Sequence, residues 1–180
     1  SEWKTQVHEF SQTLIQQIDT MSAIASAFSQ FAAMPTGQSE RLNVTETVKR
    51  ALELYKDAPI ALDADAAYYA QLDATQLVRI INNLMSNAID ACAEVSKPSI
   101  EVRIFGDKKW IYVSVEDNGK GVSDSLQERI FEPTFTTKTS GMGLGLSMVK
   151  SIVETFGGTI QFESIPNVKT RFQVRFPRID

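Results

Sequence analysis

The sequence predicts an α+β fold, a two-layer α/β sandwich with a mostly antiparallel sheet, helices on one face and one long N-terminal helix in front. Three observations predict it. Apolar residues recur at spacings of three and four from Val7 to Ala32, the period of a helix. The stretches Ile100–Ile104, Ile111–Val115 and Phe172–Phe176 alternate apolar with polar residues, the period of a half-buried strand. A helical stripe, Leu77–Cys92, precedes those strands and a second helix, about Leu144–Phe156, lies before the last of them, so both layers come from one stretch of chain.

The elements follow in order. Residues 3–33 read as one helix, with Val7, Phe10, Leu14, Ile18, Met21, Ala25, Phe28 and Ala32 on one stripe. Ile15, Ile24 and Phe31 widen that stripe beyond a narrow coiled-coil seam, as in a bundle helix. So apolar a helix needs a second helix or a second chain, unless it folds back on its own domain. Pro35 and Gly37 end it, and the chain divides into the helix (1–34), a linker (35–43) and a folded domain (44–180).

Asn43 or Thr45 is placed to cap a helix near Val44–Tyr55, which Asp57 and Pro59 stop. Extended stretches follow at Ile60–Leu62 and Tyr68–Leu72. Asp73 and Thr75 then open a helix with Leu77, Ile80, Ile81, Leu84, Ala88 and Cys92 facing inward, ending before Pro98. Gly106-Asp107 turns the chain between two strands, and Ser123 starts a short helix to about Ile130. A loop rich in Thr, Ser and Gly runs to Gly143, and its composition suggests a lid that orders on a ligand. Gly157-Gly158 stops the next helix, and the final strands carry Ile160 and Phe162, then Phe172, Val174 and Phe176.

Composition narrows the possibilities. The 180 residues suit one ordinary domain plus an extra element, and 43% apolar with 22% charged residues reads as globular. A net charge of −4 disfavours a nucleic-acid partner, which calls for basic surface. It does not disfavour a nucleotide, because backbone N–H groups and a metal ion can handle the anion. Cys92 is the single cysteine, so no internal disulfide forms and a reducing, cytoplasmic setting fits. Its apolar helical context reads as a small buried hydrophobe. No run reaches the roughly 18–20 apolar residues that cross a bilayer. The chain opens at Ser1 directly in helical pattern, as expected of a piece of a longer protein.

Three motifs carry chemistry. Asn83 and Asn87 lie one turn apart on a helix, with Asp90 and Glu94 continuing the polar stripe. Side-chain carbonyl oxygens there suit a hydrated Mg²⁺, although a solvated helix face reads the same way. The turn Glu116-Asp117-Asn118-Gly119-Lys120-Gly121 ends a strand; its glycines permit close approach of a ligand, and an ionised Asp117 would accept from an exocyclic amine such as that of adenine. Gly141-Met142-Gly143-Leu144-Gly145-Leu146 leads into a helix, whose free N–H groups suit phosphates. No hydrophobic parallel strand precedes it, as a dinucleotide fold requires, and the chain has no Walker motif.

In this order the motifs resemble the N, G1, F and G2 boxes of the GHKL ATPase superfamily, above all sensor histidine kinases. The F box is Phe131-Glu132-Pro133-Thr134-Phe135-Thr136-Thr137-Lys138, and with Ser140–Leu146 it is similar to NtrB and NtrY-type kinases. Phe28-Ser29-Gln30-Phe31-Ala32-Ala33-Met34-Pro35 resembles the end of the second dimerisation helix of NtrY-like kinases. The resemblance implies the Bergerat fold, ATP and Mg²⁺ as ligands, and catalytic roles for Asn83 and Asn87, with Asn87 on the metal. It implies that Asp117 binds the adenine amino group with Gly119 and Gly121 beside it, and that Thr170 contacts adenine. Phe131 and Phe135 would anchor the lid, and Gly141, Gly143, Leu144, Gly145 and Leu146 would cover the phosphates. Lys138 reads as a phosphate contact or as a solvated lysine on the lid. Two departures stand out: Asp90 occupies a position where many such kinases carry a basic residue, and Lys169 replaces a glycine often found before the threonine.

The superfamily's hydrolases resemble Glu-x-x-x-Asn at the first box, where the Glu serves as general base. Asn83 is an amide and cannot abstract a proton, which favours transfer to a protein histidine over hydrolysis. The chain has one histidine, His8, followed by Glu9 but without an H-E-x-x-x-P pattern. The Phe28–Pro35 match puts this helix second in the hairpin, so the acceptor is expected outside the chain. The resemblance further implies a homodimer through that hairpin, a response-regulator receiver domain as partner, and a membrane-anchored bacterial parent. The alternative is a GHKL switch module or an anti-sigma-type kinase.

Overall fold

In the computed structural model the described residues are 38–136 and 143–179, with residues 3, 7, 10–15, 17, 18 and 21 before them. Those earlier positions are helical and exposed; the remainder of the expected 3–33 helix, His8 included, lies outside the described residues.

The folded domain begins earlier than the sequence pattern suggests. Strand β1 (Glu40–Asn43) occupies the end of the expected linker and pairs antiparallel with β3 (Tyr69–Leu72), Glu40 opposite Leu72. Helix α1 (Val44–Leu52) follows immediately. Of the two candidate caps the chain uses Asn43, whose side-chain oxygen accepts from the Glu46 N–H at 3.0 Å. Thr45 is buried instead and bridges to the strand side, donating to the Ala66 carbonyl at 3.0 Å and accepting from the Tyr68 N–H at 3.1 Å. A 3₁₀ turn at Glu53–Tyr55 ends the segment.

Asp73 caps helix α2 (Ala74–Ala91) by accepting from the Gln76 N–H at 2.9 Å. The residues expected to face inward, from Leu77 through Cys92, are all buried. Strands β2 (Ile60–Ala64), β4 (Ile100–Gly106), β5 (Trp110–Asp117), β6 (Thr159–Ile165) and β7 (Lys169–Ile179) complete a seven-stranded sheet. Its order is β1-β3-β7-β5-β4-β2, with β6 on β7, and only the β2–β4 pairing is parallel. Helix α3 (Asp124–Gln127) starts after Ser123 as expected but ends before the expected Ile130. Helix α4 (Gly145–Thr155) packs beside α2.

Register explains the core. Val102, Val115 and Phe172 form one cross-strand row, and Ile104, Val113 and Val174 form the next. All six are buried, on the face covered by α2 and α4. The opposite face carries Glu101, Arg103, Gln161 and Glu163 and is open to water. This is the two-layer sandwich that the sequence predicts.

Candidate functional site

The inward rows continue one step beyond the apolar core and become polar. Asp117 stands opposite Ile100 on β4 and opposite Thr170 on β7, and Thr170 stands opposite Ser164 on β6. Strand alternation alone turns Asp117 and Thr170 inward, two positions beyond Val115 and Phe172. Each is only 4% exposed. The Gly119 N–H donates to Asp117 Oδ1 at 2.9 Å. Ser164 Oγ lies 3.1 Å from Thr170 Oγ1, accepts from the Val122 N–H at 2.9 Å and donates to the Lys169 carbonyl at 3.1 Å. Lys169 itself turns to the outer face and pairs with Glu116 at 3.3 Å, so it leaves Thr170 undisturbed.

Burial pushes the Asp117 carboxyl up to about 6, with the neighbouring Glu116 charge adding and the Gly119 N–H opposing. The Cys92 thiol lies behind it and donates to Asn118 Oδ1 at 3.5 Å. Burial, then the nearby Asp117, push that thiol up as well, so it is an inert packed group as its sequence context suggests. Asn118 serves the scaffold: Oδ1 accepts from the Ser99 N–H at 2.8 Å and Nδ2 donates to the Lys97 carbonyl at 2.9 Å.

The glycines of the turn permit contact with neighbouring elements. A Cβ on Gly119 would lie 2.6 Å from Ala91, at the last turn of α2. Gly121, at φ +69°, fits under the β6–β7 turn, where a Cβ would meet the Ile165 carbonyl oxygen at 2.8 Å. The turn is therefore clamped between a helix end and a hairpin.

On α2, Asn83 donates from Nδ2 to the Arg79 carbonyl at 2.8 Å, which fixes its amide. Its Oδ1 then faces the start of α4, where a Cβ on Gly145 would approach it to 2.6 Å. Leu144, the residue before α4, is in a helical conformation and offers no side-chain cap, so no capping side chain claims the helix's first N–H groups. At the other end of the glycine loop Thr134 holds φ +67°, and Gly143 at φ +66° packs directly on the Thr134–Phe135 backbone. The ends of the loop that begins at Phe135 and ends at Gly143 are thus pinned together.

Between these parts lies a cavity of about 370 Å³. Of the residues singled out from sequence, Asn83, Asn87, Asp117, Gly121, Phe135, Gly143, Leu144, Gly145, Leu146 and Thr170 line it. Gly119 and Phe131 do not: Gly119 packs on α2, and Phe131 is partly buried against the core. Lys138 and Gly141 lie outside the described residues. Sequence reasoning missed the apolar wall of Val122, Ile130, Met148 and Phe172, together with Ser86 and Lys120. The strand period, continued from Val174, would have placed Phe172 there; the others come from turns and short helices with no period to read.

The profile of the family described as "Histidine kinase-, DNA gyrase B-, and HSP90-like ATPase" matches residues 72–180, more than half of the chain. The chain belongs to this ATPase family. It is similar to the sensor histidine kinase ZraS of Salmonella typhimurium, 28% identical over 179 residues, covering 96% of this chain and 38% of ZraS. It is 32% identical over 179 residues to the sensor histidine kinase YcbM of Bacillus subtilis, covering 92% of this chain and 56% of YcbM. The chain thus spans less than two thirds of these relatives. Among solved structures, the catalytic domain of the histidine kinase ThkA superimposes with a TM-score of 0.70 at 28% identity, covering 78% of this chain and 96% of ThkA's.

A family ATPase takes ATP, and the lining fits one. An apolar slot beside Asp117 and Thr170 suits a planar base with an amino donor, and the uncapped start of α4 suits phosphates. The donors also fit Mg²⁺. Among the described residues no cluster of three or more His, Cys, Asp or Glu could cage a metal alone. Asn87 and Asp90 nevertheless line the cavity with an amide and a carboxyl, oxygen donors of the kind that suit an ion held largely by phosphates and water.

Proposed function

We propose that the chain is the ATP-binding catalytic portion of a two-component sensor histidine kinase, passing the ATP γ-phosphoryl group to a histidine that this chain does not supply. One observation carries the reading: Asp117 and Thr170 face Asn87 and the uncapped α4 start across one cavity, and the first-box position holds Asn83 rather than an acid. Asp117 accepts the adenine amino group, Thr170 flanks it, and the α4 N–H groups hold the phosphates. Asn87 would hold Mg²⁺, which when bound neutralises charge on the transferring group. Asn83, its amide tied to the Arg79 carbonyl of its own helix, offers no base for water, which favours transfer over hydrolysis.

The exposed stripe of Phe10, Ile15, Ile18 and Met21, 59–69% accessible, supports pairing of the parent through a helical hairpin. A chain that stays monomeric in sedimentation at high concentration would speak against pairing through this helix alone. The relatives are named sensor histidine kinases; on the same reading the downstream partner is a response-regulator receiver domain and this part of the protein works in the cytoplasm. Among the described residues no helix is long and apolar enough to cross a membrane.

The test mixes the chain with γ-labelled Mg-ATP, alone and with a fragment supplying an upstream H-box helix. Acid-labile label is expected on the fragment and absent from the chain alone. Label on His8 of the chain alone would overturn the assignment of the acceptor. A second reading, a GHKL switch module, is favoured if nucleotide binds but no histidine is labelled with the fragment present.

A further inference from the structure

The cavity poses an electrostatic problem for an anionic ligand. Its described ionisable lining consists of Asp90, Asp117 and one cation, Lys120. Asp117 is buried at the base end, while Asp90 and Lys120 are exposed toward the mouth. Among the described residues, a polyphosphate entering such a site meets two carboxyl groups and a single ammonium group.

Lys120 is held where that ammonium can act. Its backbone N–H donates to the Ala91 carbonyl at 3.1 Å, at the end of α2, and its carbonyl accepts from the Asn167 N–H at 2.8 Å. On both sides the chain is fixed by close packing, Gly119 on Ala91 and Gly121 on the β6–β7 turn. The backbone is hydrogen-bonded on both sides, yet the side chain is exposed, lines the cavity and makes no hydrogen bond or ion pair among the described residues. Another lysine near the turn differs. Lys169 points to the outer face and is spent on Glu116.

We propose that Lys120 is a nucleotide-contacting residue that reads the phosphates of the bound nucleotide from the mouth of the cavity. This rests on the nucleotide reading of the site and adds a residue to it. An ammonium group acts as a point charge and pairs with phosphate oxygens without needing a fixed geometry, which suits a flexible stem on a rigid turn. The bland role for this lysine is to complement the C-terminal dipole of α2, whose last turn its backbone touches. The two roles give different signatures, because a dipole partner changes stability for any ligand and a phosphate reader discriminates among ligands.

The experiment titrates adenosine, ADP and ATP, with Mg²⁺, into the wild-type chain and into Lys120→Ala, Lys120→Gln and Lys120→Arg, with thermal melting to confirm folding. Ala and Gln are expected to weaken ADP and ATP by about fivefold while leaving adenosine within about twofold, and Arg to restore the phosphate-dependent part. Weakening should also shrink at high salt. Equal losses for adenosine and ATP, or no loss for ADP and ATP, would overturn the proposal. A wild-type chain that binds none of the three would instead overturn the nucleotide reading of the site, and this proposal with it.

Discussion

Asp117 combines two demands that conflict. It accepts from an adenine amino group most strongly when ionised, yet it is buried and the Gly119 N–H donates to it. Its carboxyl is pushed up from 3.8 to about 6, so the native state holds a proton that the unfolded chain releases between those values. Stability from this group is therefore present below about pH 4 and is lost as pH rises through about 6, by up to about 3 kcal/mol. Asp117→Asn removes that penalty. In it, Oδ1 keeps the Gly119 N–H and Nδ2 presents a donor to the ligand's donor. Urea melts of the free protein at pH 8 are expected to show Asp117→Asn more stable by about 1–3 kcal/mol. A less stable variant would contradict the burial account. Nucleotide affinity of the wild type is expected to fall about tenfold per unit below pH 6. Asp117 was legible in the sequence twice, from its motif and from the strand period that turns it inward. The committed amide of Asn83 was not legible, because its partner is a main-chain carbonyl one turn back and its neighbour Gly145 is far along the chain.

The helices and turns show what period and capping can reveal. Asn43 and Asp73 cap their helices as the residue types suggest, and the α2 stripe is buried where the spacing put it. Strand β1 escaped, since Glu40-Arg41-Leu42-Asn43 has one apolar residue and is recognisable only by its pairing with β3. The Gly119 and Phe131 contacts escaped for a related reason. A motif says that a residue is special, but not whether a ligand or a neighbouring element claims the space. Gly145 belongs to both classes: it lines the cavity and gives room to Asn83. Gly145→Ala is expected to displace the Asn83 amide, weakening nucleotide binding by about tenfold with a change in stability below about 1 kcal/mol. In the Asn83→Ala background the same change should cost less, since the clash is gone. Equal costs in both backgrounds, read by calorimetric titration, would show that the contact does not carry the effect.

At the scale of the molecule, one sheet end does the positioning. Three strands bring Asp117, Thr170 and Ser164 into one row, α2 sets Asn83 and Asn87 above it, and α4 closes the side with its uncapped start. The sandwich and the order of its elements were readable from alternation and stripes; the pairing of β6 and β3 along the two halves of the long β7 was not. The exposed apolar residues between Val7 and Met21 mark a surface this domain leaves uncovered. The central claim is that the polar row beneath α2 is the seat of an adenine nucleotide. Calorimetric titration of Mg-ATP into the wild-type chain and into Asp117→Ala at pH 7.5 tests it most directly. The expected result is saturable one-to-one binding by the wild type and none by a folded Asp117→Ala. Unchanged affinity in that variant would contradict the claim.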